Sequence, residues 1–304
     1  MSFLRRISLF LALAAGLAPL GVAWAGEAAV TPWRFIHNAP EAADDHRYDY
    51  HWRVLRAALE ATREKYGAYV LEPGEVMSEK LQVVEMQRPR GTLNTMVLDA
   101  TQALEQALLP VRVPIDKGLL GYRVFLIHAE DQARFAGVQS LEQLRQFRFG
   151  QQREWSDVAI YQAAGLPVVA GSSYEGLFRM LMLRRFDAFG RGLTEVTGEL
   201  AHWRKKYPQM AIEKELLLYY PLPVYFWFPR TEEGRLRAQR VEEGMLRLVA
   251  DGTLDRLFAE EYGAVIQSFQ LDKRRILRIA NPGLPPGQPF ANKAYWFVPD
   301  LPGS

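Results

Sequence analysis

Residues 105–127 read EQALLPVRVPIDKGLLGYRVFLI, and this stretch decides the fold. Two prolines bracket the short alternating run Val111-Arg112-Val113, in which the single charge points away from the two valines. After a polar turn at Asp116–Gly118, the run Val124–Ile127 is apolar on both faces, which is typical of a strand in a buried sheet. Two strands without a long helix between them indicate a crossover from one unit to another, with Arg112 near the cleft between the units.

The composition is that of an ordinary globular protein. Of 304 residues, 49% are hydrophobic and 24% are charged, which allows one large or two smaller domains. The chain has no cysteine, so disulfides and thiol chemistry are excluded.

The N-terminus predicts a secretory signal peptide. Arg5 and Arg6 precede the apolar run Ile7–Leu20, and Ala23-Trp24-Ala25 matches a cleavage signal before Gly26. We therefore expect residues 1–25 to be removed and the protein to be periplasmic. An uncleaved anchor is the alternative, although the run is short for a membrane span.

The mature chain predicts neither a nucleic-acid surface nor a further membrane segment. Removing residues 1–25 takes away two arginines and no acids, which leaves equal numbers of basic and acidic residues. A near-neutral chain carries no electrostatic footprint for nucleic acid. No later apolar run is long enough to span a bilayer, so we expect an exported soluble protein.

Strands and helices alternate twice along the mature chain, which predicts two α/β lobes. Lobe 1 takes residues 26–117 and 223–304, and lobe 2 takes residues 118–222. The run 216–228, LLLYYPLPVYFWF, is the return crossover, and Thr231 begins a long helix after it. The predicted strands are Trp33–Ile36, Ala68–Leu71, Thr92–Leu98, Phe147–Gly150, Val168–Ala170 and Phe186–Phe189.

Two weak motifs in the right order resemble the periplasmic solute-binding proteins of family 3, which have the type II periplasmic-binding fold. Val249-Ala250-Asp251-Gly252-Thr253-Leu254, followed by Tyr262-Gly263, is similar to the family's C-terminal "l..dGtl..l...yg" signature. Leu183–Ala188 is similar to its "l..grvDa" entry into a second-lobe strand. The resemblance covers nearly the whole mature chain. It implies two lobes, each a mostly parallel sheet flanked by helices, joined by two crossovers and closing on a small ligand.

The chain departs from this family where amino-acid-binding members hold their ligand. Those members carry an Arg in a "T.eR" segment to grip the ligand carboxylate, but the segment Ala100–Gln106 has none. They also carry an Asp for the ligand amine, where this chain has Gly190-Arg191-Gly192. The sequence therefore resembles an orphan branch of the family that lacks the usual amino-acid grip.

Two arginines are the leading candidates for contact with an anionic or polar ligand. Arg112 and Arg191 lie by inference at the cleft, where a guanidinium can hold a carboxylate or phosphate with two hydrogen bonds. The alternatives are a structural ion pair of Arg112 with Glu105, and a solvated turn position for Arg191.

Six further residues are expected at the cleft, each with a structural alternative. Ser156 and Ser173 begin second-lobe helices, where they either hold an anion or only cap the helix. Trp155 and Tyr174 either stack on a ligand or pack in the core. His37 and Asn38 follow the first strand, which the resemblance makes a ligand-contact position; capping of a loop is the alternative.

Signals for catalysis or a metal are absent from the sequence. The five histidines show no metal-ligand spacing, and there is no nucleophile motif or phosphate-binding loop. We predict a binding protein, not an enzyme, that needs no cofactor and delivers a small solute to a membrane transporter or reports it to a sensor. One alternative is a ligand-free fold that signals by protein–protein contact. Another is a dehydratase-like enzyme that uses Glu105 or Glu154.

Overall fold

A computed structural model of the protein describes residues 31–40 and 46–299, so the predicted signal peptide lies outside the described residues. Within these ranges no helix has the length and apolar character needed to cross a membrane. The strands are β1 (Trp33–His37), β2 (Tyr69–Pro73), β3 (Met96–Asp99), β4 (Leu108–Val111), β5 (Tyr122–His128), β6 (Phe149–Gln152), β7 (Val168–Gly171), β8 (Ala188–Gly192), β9 (Met210–Ile212), β10 (Leu216–Tyr219), β11 (Val224–Pro229) and β12 (Arg275–Arg278). The α-helices are α1 (Asp49–Ala61), α2 (Arg63–Tyr66), α3 (Glu79–Gln87), α4 (Gln102–Ala107), α5 (Gln132–Ala136), α6 (Leu141–Leu144), α7 (Asp157–Ala163), α8 (Tyr174–Met182), α9 (Val196–Trp203), α10 (Glu232–Ala250) and α11 (Thr253–Phe269).

The strands form three sheets flanked by helices, which confirms the predicted α/β class. β1 pairs with β2 in a parallel pair, and β11 lies between β3 and β4 with both pairings antiparallel. The largest sheet runs in the order β12-β10-β5-β8-β6-β7, with β9 also pairing with β5. "First lobe" below denotes β1–β4 and β11 with their helices, and "second lobe" denotes the largest sheet with its helices.

The sheets are mixed, whereas the resemblance implied mostly parallel ones. β6 pairs parallel with β7 and β8, because helices return the chain between these strands. β5 pairs antiparallel with β8, β9 and β10. The chain enters β5 directly from the crossover rather than through a helix, so β5 runs against its neighbours.

The crossover predicted from residues 105–127 is present. β4 pairs with β11 of the first lobe, and β5 belongs to the sheet of the second lobe. The chain returns between β10 and β11. Strand β12 comes from the C-terminal part of the chain that we assigned to lobe 1, but it pairs with β10 in the second-lobe sheet. The predicted domain boundaries therefore remain a proposal.

The main hydrophobic core extends from the first lobe into the second. It includes Val54 and Leu55 of α1, Met245 of α10, and Phe178 and Phe189 of the second lobe, all fully buried. Helices α1 and α10 each present an apolar stripe at helical spacing, and these stripes pack together.

Residues 281–299, called the C-terminal strap below, contact both crossovers between the lobes. Asn281 Nδ2 donates to Pro221 O over 2.9 Å at the return crossover, and Phe297 N donates to Lys117 O over 2.7 Å at the first crossover. The ring of Trp296 lies against Gly118, whose φ of +72° places it in the left-handed region. Trp296 and Phe297 therefore dock the strap on the first crossover.

Candidate functional site

A cavity of about 160 Å3 lies in the first lobe, where β1 ends and α1 begins. The residues that line it include His37, Asn38, Pro40, Tyr48, Trp52 and Gln82. The short strand β1 places His37 at its last position, and the ring stacks on Trp52 with centroids 4.0 Å apart. Asn38 Oδ1 accepts from Met77 N over 2.7 Å, which fixes the loop after β1. Two residues predicted from sequence therefore line one cavity.

The imidazole of His37 is held in one orientation. Its Nδ1 lies 2.7 Å from Asn38 O, so Nδ1 carries the proton and Nε2 is an acceptor. Burial lowers the pKa of His37, because the charged form loses its hydration. The ring is therefore neutral at neutral pH and can accept a hydrogen bond from a ligand.

A second group of polar side chains joins the two lobes; it comprises Asp99, Ser156, Asp157, Arg123 and Tyr220 and is called the interlobe cluster below. Ser156 Oγ donates to Asp99 Oδ2 over 2.8 Å, which links the end of β3 to the start of α7. Arg123 Nη2 lies 3.0 Å from Asp157 Oδ1, and Arg123 Nε donates to Tyr220 OH over 2.8 Å. Tyr220 OH also donates to Asp157 Oδ1.

Within the interlobe cluster, Asp99 and Asp157 differ in their charged partners. Asp157 has a guanidinium partner, whereas Asp99 forms no ion pair with any Lys, Arg or His in the described ranges. Burial raises the pKa of Asp99, and the hydrogen bond from Ser156 opposes this only in part. Asp99 is thus a half-buried carboxyl whose side-chain partner is a hydroxyl.

Arg191 lies at the centre of an aromatic and acidic cage. Its Nη2 lies 2.6 Å from Glu199 Oε1 and 3.0 Å from Glu195 Oε1, and Nε also donates to Glu199 over 2.9 Å. The guanidinium carbon is 4.8 Å from the Trp155 ring and 5.7 Å from the Tyr174 ring. Tyr174 OH donates to Glu199 over 2.7 Å, and burial followed by the charge of Glu199 raises the pKa of Tyr174. The structure therefore brings Arg191, Trp155 and Tyr174 together, but the polar atoms of Arg191 and Tyr174 bind carboxylates of the protein itself.

The remaining predicted residues have structural partners. Arg112 forms an ion pair with Glu105, which was the alternative interpretation of this residue. Ser173 Oγ accepts from Gly176 N over 3.2 Å and so caps α8. Ser156 occupies the position before α7 but makes no capping hydrogen bond, because its backbone is helical (φ −57°, ψ −28°) and not extended as a cap requires; its hydroxyl donates to Asp99. The expectation of a capping role for Ser156 is therefore wrong.

Asp99, Arg123 and Tyr220 were not selected from the sequence. Arg123 is a lone charge inside the apolar run of β5, and this was the available signal. Asp99 is an acid at the end of the apolar strand β3, and this position was the available signal for it. Among the described residues, no group of three or more His, Asp or Glu side chains is placed to hold a metal ion.

Comparison with known proteins finds similarity in structure alone. No protein-family model and no curated protein sequence matches the chain. An ancestral arginine-binding protein bound to arginine superposes with a TM-score of 0.53 at 14% identity, over 76% of this chain and 98% of that one. An arginine-specific periplasmic binding protein of Salmonella typhimurium gives 0.52 at 15% identity, over 76% and 99%.

A third solved structure extends the comparison to another ligand. A periplasmic His/Glu/Gln/Arg/opine family-binding protein of Silicibacter pomeroyi in complex with lysine gives a TM-score of 0.52 at 11% identity, over 76% of this chain and 97% of that one. At these identities the similarity establishes the fold: the chain has the architecture of periplasmic amino-acid-binding proteins.

Proposed function

We propose that the protein is an exported solute-binding protein that holds a small polar solute between its two lobes. The observation that carries this proposal is the first-lobe cavity at the end of β1, lined by His37, Asn38 and Trp52, which we assign as the first-lobe part of the site. The similar structures bind arginine, glutamine or lysine, which supports solutes of amino-acid size. The expectation of an anionic solute loses its support, because Arg112 and Arg191 are both engaged by carboxylates.

The cellular role follows from the predicted export. We propose that residues 1–25 direct the chain to the periplasm, where it passes its solute to a membrane transporter or reports it to a sensor. An enzymatic role is disfavoured, since Glu105, one of the two candidate acid/base groups, is engaged by Arg112.

The test begins with the solute itself. The purified mature chain is denatured, and any released small molecule is identified by mass spectrometry. The same compound, added back, should raise the melting temperature in proportion to the logarithm of its concentration above the Kd. If nothing is released and no amino acid, carboxylate or amine shifts the melting temperature, solute binding is rejected.

A variant at the cavity locates the site. His37→Phe keeps a ring for stacking on Trp52 but removes the Nε2 acceptor, so it should reduce the ligand-induced shift. The matched control is His202→Phe, the same change at an exposed position of α9. Equal ligand shifts in the two variants would show that the solute binds elsewhere.

A second candidate function is a ligand-free module that signals by protein contact. The continuous core across both lobes favours it, because this packing opposes separation of the lobes. Small-angle X-ray scattering with and without the identified solute distinguishes the two functions: a solute-binding protein should become more compact, and a rigid contact module should not change.

A further inference from the structure

We propose that Asp99 receives a positively charged group of the solute, an ammonium or guanidinium, at the contact between the lobes. The proposal rests on the proposed solute-binding function and names the chemistry of the solute. It places the cation-binding carboxylate on the first lobe, at the end of β3, where Asp99 is in register with Val224 at the start of β11.

The charges around the interlobe cluster leave Asp99 without an ion-pair partner in the described part of the chain. Arg123 is shared by Asp157 and Glu195, with distances of 3.0 and 3.5 Å. Arg191 is shared by Glu195 and Glu199, with distances of 3.0 and 2.6 Å. These two guanidiniums serve three carboxylates, and Asp99 adds a fourth that has no ion pair in the described part of the chain. A solute cation would supply the missing charge, because a half-buried carboxylate at the contact between the lobes is stabilised by a cation or by several donors, and Ser156 supplies one donor.

Two polar side chains behind Asp157 also have unused hydrogen-bonding capacity. Gln151 and Tyr161 are fully buried; Tyr161 OH lies close to Gln151 and Tyr220, but neither the Gln151 carboxamide nor Tyr161 OH forms a hydrogen bond of good geometry within the described residues. The Tyr161 ring packs edge-on against Tyr220 with centroids 6.0 Å apart, so these groups border the interlobe cluster. Buried polar atoms are almost always paired, so either a small movement of these neighbouring side chains or a polar guest would complete this region.

When no solute is bound, Ser156 provides the hydrogen bond that holds the Asp99 carboxylate in place. Its hydroxyl, which is a neutral donor, gives Oδ2 one hydrogen bond of 2.8 Å that links the two lobes. A charged donor makes a stronger hydrogen bond with a carboxylate than a hydroxyl does. An ammonium group can therefore bind Asp99 while Ser156 keeps its bond or rotates away.

The experiment measures binding of three probes to the mature chain by isothermal titration calorimetry. Putrescine carries two ammonium groups and no carboxylate, L-arginine carries both charges, and succinate carries carboxylates alone. We expect putrescine and L-arginine to bind and succinate not to bind. Asp99→Asn should weaken binding by about tenfold to a hundredfold, since one charged hydrogen bond is lost. Asp272→Asn, the same change at an exposed site, should leave the Kd within about twofold.

Ser156→Ala guards against a folding artefact in the Asp99 variant. It removes the hydroxyl but keeps the carboxylate, so it should bind both amines within a few-fold of the unchanged protein. Succinate binding without amine binding, or equal amine affinity in Asp99→Asn, would overturn the proposal while solute binding stands. A co-purified solute that has no positive charge would do the same. If the protein releases no solute and binds none of the three probes, the proposed function fails, and this inference fails with it.

Discussion

Replacement of Arg191 by methionine tests whether this residue is structural or a ligand grip. Its side chain is 6% exposed and that of Glu199 is 9% exposed, so the ion pair between them is largely shielded from solvent. Removing one partner of a buried pair leaves an uncompensated charge and costs about 3–5 kcal/mol. Loss of the cation–π contact with Trp155 contributes about 1 kcal/mol of that destabilisation. We expect Arg191→Met to lower the free energy of unfolding by about 4 kcal/mol.

The assay is urea unfolding followed by tryptophan fluorescence, in a double-mutant cycle with Glu199→Leu. The double variant replaces the pair by apolar side chains and should recover most of the stability, because well-packed apolar replacements of buried ion pairs are often neutral. Arg112→Met is the control: its side chain is 39% exposed, so we expect a loss of about 1 kcal/mol or less. A loss below about 1 kcal/mol for Arg191→Met, or strict additivity in the cycle, would refute the structural role.

Three further predictions concern stability. Burial raises the pKa of Asp116 from 3.8 to about 6, so the folded state favours the protonated form. The free energy of unfolding should fall by about 3 kcal/mol as the pH rises from about 4 to 6, and urea titrations should show that Asp116→Asn lacks this step. Gly118→Ala should cost more than Gly252→Ala in thermal unfolding: both glycines have positive φ, but only at Gly118 would a Cβ lie 2.8 Å from Trp296. Arg240→Met should cost about 2 kcal/mol or more, measured by urea unfolding, because Leu59 O and Gly67 O lose a buried donor; an unchanged midpoint would contradict this.

The sequence predicted those features that depend on neighbours along the chain. The crossover at residues 105–127, the Ser173 cap and the start of α10 after Thr231 follow from local proline, serine and threonine chemistry. The mixed pairing of β5 did not follow, because its partners are set by the path of the chain between the lobes.

Residues of the candidate site were predicted less completely, for the same physical reason. Arg191, Trp155 and Tyr174 were each expected at the cleft, and the structure places them together, but the carboxylate partners of Arg191 depend on how α9 packs on β8. Ser156 and Asp99 are 57 residues apart in the chain. Only the folded arrangement reveals that the serine hydroxyl serves this carboxylate and not its own helix.

The C-terminal strap should slow the escape of a bound solute. Two hydrogen bonds attach the strap to the two crossovers: Phe297 N donates to Lys117 O, and Asn281 Nδ2 donates to Pro221 O. Separation of the lobes would then require the strap either to follow the motion or to detach, and the slower of these events would determine the residence time of the solute. A chain shortened to residue 280 should therefore exchange its solute faster in both directions, even though no atom in contact with the solute has been removed.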